Sequence, residues 1–125
     1  MTGYSVSINH ASKELSAKER IALKDTTYAV KLDEVTQTEP VTIVPGYWAQ
    51  LDIHNEKSDN KDYKMYVLVD GETGTKYITG SDSFWTSFMD IASEMVNEVE
   101  EWAIKVYRMP SKNYKGKEFI TCTIV

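Results

Sequence analysis

The segment 105–119 combines positive charge with aromatic rings in a chain whose formal net charge is −5. Its five cations are Lys105, Arg108, Lys112, Lys115 and Lys117, and its three rings are Tyr107, Tyr114 and Phe119. The preceding segment 82–101 carries six acidic residues and no basic one. Because cations attract anions and flat rings stack on other flat groups, the segment predicts a site for an anion that itself carries rings.

Single-stranded nucleic acid is an anion of this kind. It presents phosphates to Lys and Arg side chains and unpaired bases to aromatic side chains, and each stacked base is worth roughly 1–3 kcal/mol. After Trp102, Lys105 and Tyr107 alternate with Ile104 and Val106, so each pair takes one face of a strand. We expect the first pair to bind and the second to enter the core.

Neighbouring strands can extend this surface. The candidates are Trp48, Lys64 and Tyr66, with Tyr47 as the alternative to Trp48. Tyr47 and Trp48 are adjacent on a strand, so their side chains point to opposite faces. For each ring the competing interpretation is a half-buried packing residue, and for the lysines it is a charged strand edge that blocks aggregation.

Strands must position these residues. Alternating apolar and polar residues predict strands over 1–10, 26–35, 41–54, 63–70, 75–79, 102–108 and 118–124. Pro45 and Gly46 interrupt the longest of them and predict a bend or bulge, and Gly71 to Gly74 predict a hairpin turn.

Two helices are predicted. Ser16 and Glu19 have the spacing of a capping box, which favours a short helix over 12–23. A longer helix begins after a cap at Ser81 or Ser83, because apolar residues then recur at intervals of three and four. They are Phe84, Phe88, Ile91, Met95 and Val99.

This order of elements predicts a mainly β fold with one central helix, of the α+β class. The favoured architecture is a five-stranded OB-type Greek-key barrel with the helix between its third and fourth strands. The alternative is an open antiparallel sheet with one packed helix. Either forms a single domain over 1–125, in which 1–25 is an N-terminal extension with the short helix and 26–125 is the barrel.

The stretch from Lys76 to Val125, KYITGSDSFW…IKVYRMPSKNYKGKEFITCTIV, resembles the C-terminal half of small single-stranded-DNA-binding proteins encoded by phages. The resemblance implies an OB-type barrel that coats single strands during phage DNA replication or recombination. It also implies single-stranded DNA as the ligand, and replication or recombination proteins as further partners.

Catalysis and cofactors are not expected. Asp52 and His54 share a strand face and could begin a metal site, but no further His or Cys is placed to complete a transition-metal set. Cys122 alternates with apolar residues and is more typical of a packed thiol than of a nucleophile. A metal-dependent enzyme using Asp52 and His54 is therefore the weakest of the alternatives.

Composition places the protein in the cytoplasm, in the host cell if a phage encodes it. The sequence has neither an apolar run of membrane-spanning length nor a leader pattern, so no membrane association is expected. Self-association through an exposed final strand is a further expectation. The rival function is that of an acidic phage interaction or inhibitor protein that binds a host protein.

Two substitutions test the cationic segment. Tyr114→Ala should weaken binding of single-stranded DNA without loss of folding, because a stacking ring is removed. Lys112→Ala should shallow the dependence of log affinity on log salt by roughly 0.7, the contribution of one phosphate contact on a single strand. Unchanged affinity in both variants, measured by titration with oligo-dT, would remove this segment from the site.

Overall fold

The computed structural model describes the chain over residues 3–25, 27–57, 59, 61–95, 97–98, 101–111 and 116–125. Over these residues the fold is mainly β, as the sequence predicts, with eight strands in two open sheets and three helices. The described strands do not close into a barrel. None of the helices in this part of the chain is long and apolar enough to span a membrane.

The larger sheet has five strands. Their order across the sheet is β1 (Tyr4–Ala11), β4 (Pro45–Asn55), β5 (Asp62–Asp70), β6 (Lys76–Thr79) and β2 (Val30–Lys31). All neighbours are antiparallel except β2 and β6, which are parallel. The smaller sheet is antiparallel and has three strands, in the order β3 (Val41–Ile43), β7 (Ile104–Pro110) and β8 (Glu118–Ile124).

Two details of the predicted order are wrong. The strand expected over 26–35 contributes only the two residues of β2, and the chain then turns into the helix α2 (Leu32–Val35), which buries Leu32. The segment expected as an N-terminal extension instead pairs along β4 from Tyr4 to Ala11, because its alternating Val6 and Ile8 pack on the core. The first strand is thus an edge of the larger sheet.

The two remaining helices have the caps that the sequence predicts, although α1 begins at Ala17 and not at residue 12. Helix α1 (Ala17–Lys24) has a complete capping box, in which Glu19 N donates to Ser16 Oγ at 3.2 Å and Ser16 N donates to Glu19 Oε1 at 3.0 Å. Helix α3 (Asp82–Met95) follows Ser81, whose Oγ accepts from the backbone N–H of Phe84 at 3.2 Å. These bonds satisfy donors that the first turn leaves free.

Two hydrophobic clusters lie on opposite faces of β5, whose second half, residues 66–70, is buried on both sides. The aliphatic core, beneath α1, consists of Leu15, Leu23, Ala49, Leu51, Ile53, Val67, Val69 and Ile78. The aromatic core lies between the two sheets and α3. Its buried members are Leu32, Ile43, Tyr66, Leu68, Phe84, Trp85, Phe88, Ala92, Ile104, Val106, Ile120 and Cys122.

Phe88 is the centre of the aromatic core and is fully buried. Its ring centroid lies 5.0 Å from that of Trp48, 5.4 Å from that of Trp85 and 6.3 Å from that of Trp102. Rings at these separations attract one another beyond the gain from burial alone. Strand β4, helix α3 and the segment before β7 are therefore held together through one side chain.

A corner between β3 and β4 carries the chain from the smaller sheet to the larger one within two residues. Val44 N donates to Asp70 Oδ2 at 3.2 Å, and Gly71 N donates to Val44 O at 2.7 Å. Gly46 packs directly against Gly71, where a Cβ on residue 46 would lie only 2.9 Å from the Gly71 Cα. The bend predicted at Pro45 and Gly46 is thus a change of sheet.

The Asp70 carboxylate at this corner is buried and also closes the β5–β6 turn. Its Oδ1 accepts from Glu72 N at 2.8 Å and from Thr73 N at 2.9 Å. Burial raises the pKa of this carboxyl, but the hydrogen bonds from Thr73, Glu72 and Val44 outweigh burial and leave its pKa below the ordinary value. The charged form is therefore the one that holds the corner.

Alanine at two glycines should test the close approach at the corner. Gly46→Ala should destabilise the fold by about 1–3 kcal/mol, because the new methyl group meets backbone atoms that cannot move aside. Gly80→Ala is the matched control, since the nearest atom to its Cβ is Lys64 O at 3.9 Å. The control should be neutral or stabilising by about 0.4–1 kcal/mol. Equal urea midpoints for the two variants would contradict the role of the corner.

Candidate nucleic-acid interface

The smaller sheet has one face in the aromatic core and one towards solvent. Ile104, Val106, Ile120 and Cys122 are buried on the inner face. Side chains alternate along β7 and β8, so the intervening residues lie on the other side. We call this solvent side the outer face. It consists of Thr42, Lys105, Tyr107, Met109, Phe119, Thr121 and Thr123.

Cross-strand pairs arrange the outer face in rows. Tyr107 lies opposite Thr121, and Met109 lies opposite Phe119 one row closer to the hairpin tip. Met109 and Phe119 remain 42% and 38% exposed, while Tyr107 is half-buried. The rows thus form an apolar and aromatic surface in contact with water, which is unusual for a solvated sheet face.

Lysines border this surface. Lys105 is exposed in the row beyond Tyr107, opposite Thr123. Lys117 is exposed just before β8, and its carbonyl oxygen accepts from Ser111 N at 2.9 Å. A shallow groove of about 410 Å³ lies against Lys117 and Phe119. Three of the predicted site residues, Lys112, Tyr114 and Lys115, lie outside the described residues.

Helix α3 covers the free edge of β8 and so fixes the position of the outer face. Ser83 Oγ donates to Ile120 O at 3.0 Å, and the hydroxyls of Ser87 and Thr121 are 2.9 Å apart. The first contact satisfies a backbone carbonyl that an uncovered edge strand leaves unpaired, and the second joins α3 to the neighbouring side chain of β8. The final strand, expected from the sequence to be exposed for self-association, is therefore occupied by the protein's own helix.

Arg108 is not on the outer face. It lies opposite Ile120 on the inner side of the hairpin, and its guanidinium donates to the backbone oxygen of Asp33 in α2. Its Nε is buried and has no partner among the described residues. The prediction that Arg108 is free to neutralise a phosphate is wrong because this side chain joins β7 to α2.

Tyr66 is also not on the outer face. Only 6% of it is exposed, and its ring stacks on Trp85 with centroids 4.6 Å apart. Its hydroxyl donates to Asp82 Oδ1 at 2.5 Å. Burial, followed by this bond, raises the pKa of Tyr66 to about 12. A ring already stacked within the core leaves no face for a base.

The other residues proposed on neighbouring strands are separated from the outer face. Trp48 packs edge-on against Phe88 in the aromatic core. Tyr47 packs on the aliphatic core, with Lys13 Nζ 4.8 Å from its ring centroid. Lys64 is exposed, but it lies on β5 of the larger sheet opposite Asp52. The rings of Trp48 and Tyr47 thus pack against the two cores and do not extend the outer face.

Sequence reasoning missed Met109 and Thr42. The predicted strand 102–108 ends one residue before Met109, whereas β7 continues to Pro110. Extending the same alternation by two residues would have placed Met109 beside Tyr107. Thr42 offers no comparable signal, because its position depends on the pairing of β3 with a strand some sixty residues away.

No family model, curated protein or solved structure was found to match this chain. The functional assignment consequently rests on the geometry of the described residues.

A second polar cluster lies on the exposed end of the larger sheet, around His54. Its Nδ1 is 2.7 Å from Asp62 Oδ1 and its Nε2 is 2.6 Å from Glu56 Oε1. Ser5 is directly across from His54 on β1. However, Glu56 occupies the ring nitrogen that a serine nucleophile would need, so this row is not arranged as a catalytic triad.

The metal site considered for Asp52 and His54 finds no support in this geometry. Asp52 Oδ2 accepts from Asn9 Nδ2 at 2.7 Å, and both His54 nitrogens face carboxylates. Over the residues that the structure describes, no group of three or more His, Cys, Asp and Glu side chains is placed to hold a metal ion.

The stability contributed by His54 should depend on pH. The hydrogen bond with Asp62, and then that with Glu56, raises the pKa of His54 above 6.5. This contribution is complete below the ordinary pKa and is lost as pH rises through the raised one. His54→Gln should therefore be less stable than the parent in urea at about pH 5.5 and equally stable at about pH 9. An imidazole that titrates at or below 6.5 by NMR would contradict this.

Proposed function

We propose that this protein binds single-stranded DNA along the outer face of the smaller sheet, without cleaving or modifying it. The observation that carries the proposal is the row of exposed Met109 and Phe119 beside Tyr107, bordered by Lys105 and Lys117. In a chain of net charge −5, this is the described surface best matched to a ligand with bases and phosphates.

Each class of side chain has a distinct part in the proposed complex. Phe119 and Tyr107 stack on bases, and Met109 adds apolar contact between them. Lys105 and Lys117 neutralise phosphates, and the threonine hydroxyls of the outer face hydrogen-bond to phosphate or sugar. Because stacking does not read base edges, binding tolerates any sequence, and because phosphates are neutralised it weakens with salt.

The proposed setting is phage DNA replication or recombination in the cytoplasm of the host, with other proteins of these processes as partners. Kinship with OB-type barrels is part of the same proposal. It is supported by the corner at Val44, where one run of chain enters both sheets, and by the position of α3 between β6 and β7. A curved strand shared between sheets is a feature of that fold, and so is a helix after the third strand of a meander, here β4, β5 and β6.

The proposal is best tested by fluorescence anisotropy of labelled oligo-dT at low and at moderate salt. Trp48, Trp85 and Trp102 all contribute to the aromatic core, so quenching of tryptophan fluorescence would report poorly on the outer face. We expect affinity to fall steeply with salt, and Lys105→Ala should shallow that dependence by roughly 0.7 in log–log slope.

Phe119→Ala and Tyr107→Ala should each weaken binding about 5- to 150-fold, the loss of one stacking ring at roughly 1–3 kcal/mol. Tyr28→Ala is the matched control, because Tyr28 is 95% exposed but lies outside the outer face, in the segment after α1. Its affinity should equal that of the parent, and circular dichroism should show all three variants folded.

Two results would overturn the proposal. Equal affinity for all three variants would mean that DNA is bound elsewhere on the chain. No binding at low salt by the folded parent would remove nucleic acid as the ligand and favour the rival function, an acidic protein that binds a host protein.

A further inference from the structure

The first strand is the one long sheet edge that the described part of the chain leaves uncovered. The edge of β8 is covered by α3 through Ser83 and Ser87. The edge strand β2 has two residues, and the edge strand β3 has three, between Pro40 and Pro45. β1 has eight residues and pairs on one side only, with β4.

Hydrogen bonding to β4 shows which groups of β1 face outward. Glu56 N donates to the carbonyl oxygen of Gly3 at 2.6 Å, so Gly3 forms a hydrogen-bonded pair with β4. Antiparallel pairs alternate, so Ser5 and Ser7 also bond to β4. The N–H and C=O groups of Tyr4, Val6 and Ile8 therefore point away from the sheet.

β1 also lacks the usual devices that block edge pairing. Residues 4–9 contain no charged side chain and no proline, in a chain of which 26% is charged. The register shifts between Ile8 and His10, so the regular part of the strand is 4–8. Unprotected edges of this kind pair readily with another strand.

We propose that this edge pairs with the same edge of a second copy of the chain. The two strands run antiparallel about a two-fold axis at Val6, which makes one continuous ten-stranded sheet. Val6 then lies opposite its own copy, and Tyr4 lies opposite Ile8 of the other chain. Every residue of the regular segment 4–8 is paired in this register. The outward N–H and C=O groups of Tyr4, Val6 and Ile8 all form hydrogen bonds to the other chain.

A second copy fits this edge for reasons of symmetry and charge. A two-fold axis makes the contact self-complementary and closed, so association ends at the dimer. Copies with a net charge of −5 repel each other, and they approach with least repulsion where the contacting strand is uncharged. The exposed hydroxyls of Ser5 and Ser7 face each other across the axis and need no counter-charge.

Cysteine pairs test the register directly. Ser5 of one copy and Ser7 of the other form a pair that is not hydrogen-bonded, in which side chains approach most closely. We would mix ¹⁵N-labelled Ser5→Cys with unlabelled Ser7→Cys, oxidise the mixture mildly and measure the masses of the products by mass spectrometry. The label distinguishes the mixed disulfide from the two homodimers. The mixed disulfide should predominate over either homodimer. Cys122 does not compete, because it is buried and its pKa is raised to about 12 by burial.

Analytical ultracentrifugation of the parent should give twice the chain mass of 14.3 kDa. Ser5→Lys/Ser7→Lys should be monomeric, since like charges would then lie directly opposite each other. Thr38→Lys/Thr86→Lys adds the same charge at exposed positions outside β1 and should remain dimeric.

Three results would overturn the inference. They are a monomeric parent at millimolar concentration, dimers that survive lysines at both serines, and cross-linking chiefly of Ser5→Cys to itself, which would place the axis elsewhere. None of these measurements involves nucleic acid, so their outcome is independent of the proposed function.

Discussion

The buried carboxylate of Asp70 is the interaction on which the arrangement of the two sheets depends. It accepts hydrogen bonds from the turn that follows β5 and from Val44, at the point where the chain leaves the smaller sheet. A buried charge is tolerated only when its oxygens are satisfied, and here three backbone N–H groups satisfy them. The contact of Gly46 with Gly71 lets the two segments come close enough for these bonds. Without them the corner between β3 and β4 would lose the hydrogen bonds that fix it to the turn after β5.

The outer face is a consequence of that arrangement. The inner side of the smaller sheet lies against Phe88 and its neighbours, and α3 occupies the edge of β8. The other side of β7 and β8 then faces solvent, apart from the contact of Thr121 with Ser87 of α3. Aromatic and apolar side chains remain exposed to water there, although the core is already filled.

Local patterns in the sequence predicted most elements but not their assembly. The capping box at Ser16, the turn at Gly71–Gly74 and the apolar repeat from Phe84 to Met95 are signals within a few residues, and each was confirmed. Val99, the last member of the predicted repeat, lies outside the described residues. By contrast, the positions of Tyr66 and Arg108 were predicted wrongly, because a side chain on a strand can face either the solvent or a second layer. Tyr66 stacks on Trp85 and Arg108 bonds to Asp33, and both partners are far away in sequence. The pairing of β3 with β7 has no local signal either, so an OB-type barrel was inferred where the strands form two open sheets.

The order of the strands along the chain has a consequence for synthesis on the ribosome. All five strands of the larger sheet, and every residue of the aliphatic core, lie at or before Thr79. The larger sheet can therefore fold while α3 and the final hairpin are still being made. The aromatic core cannot be completed until Cys122 has emerged, and until then β3 and the inner side of β5 present apolar surface to the solvent. The nascent chain is thus most exposed to aggregation and to chaperones during the translation of its last forty or so residues.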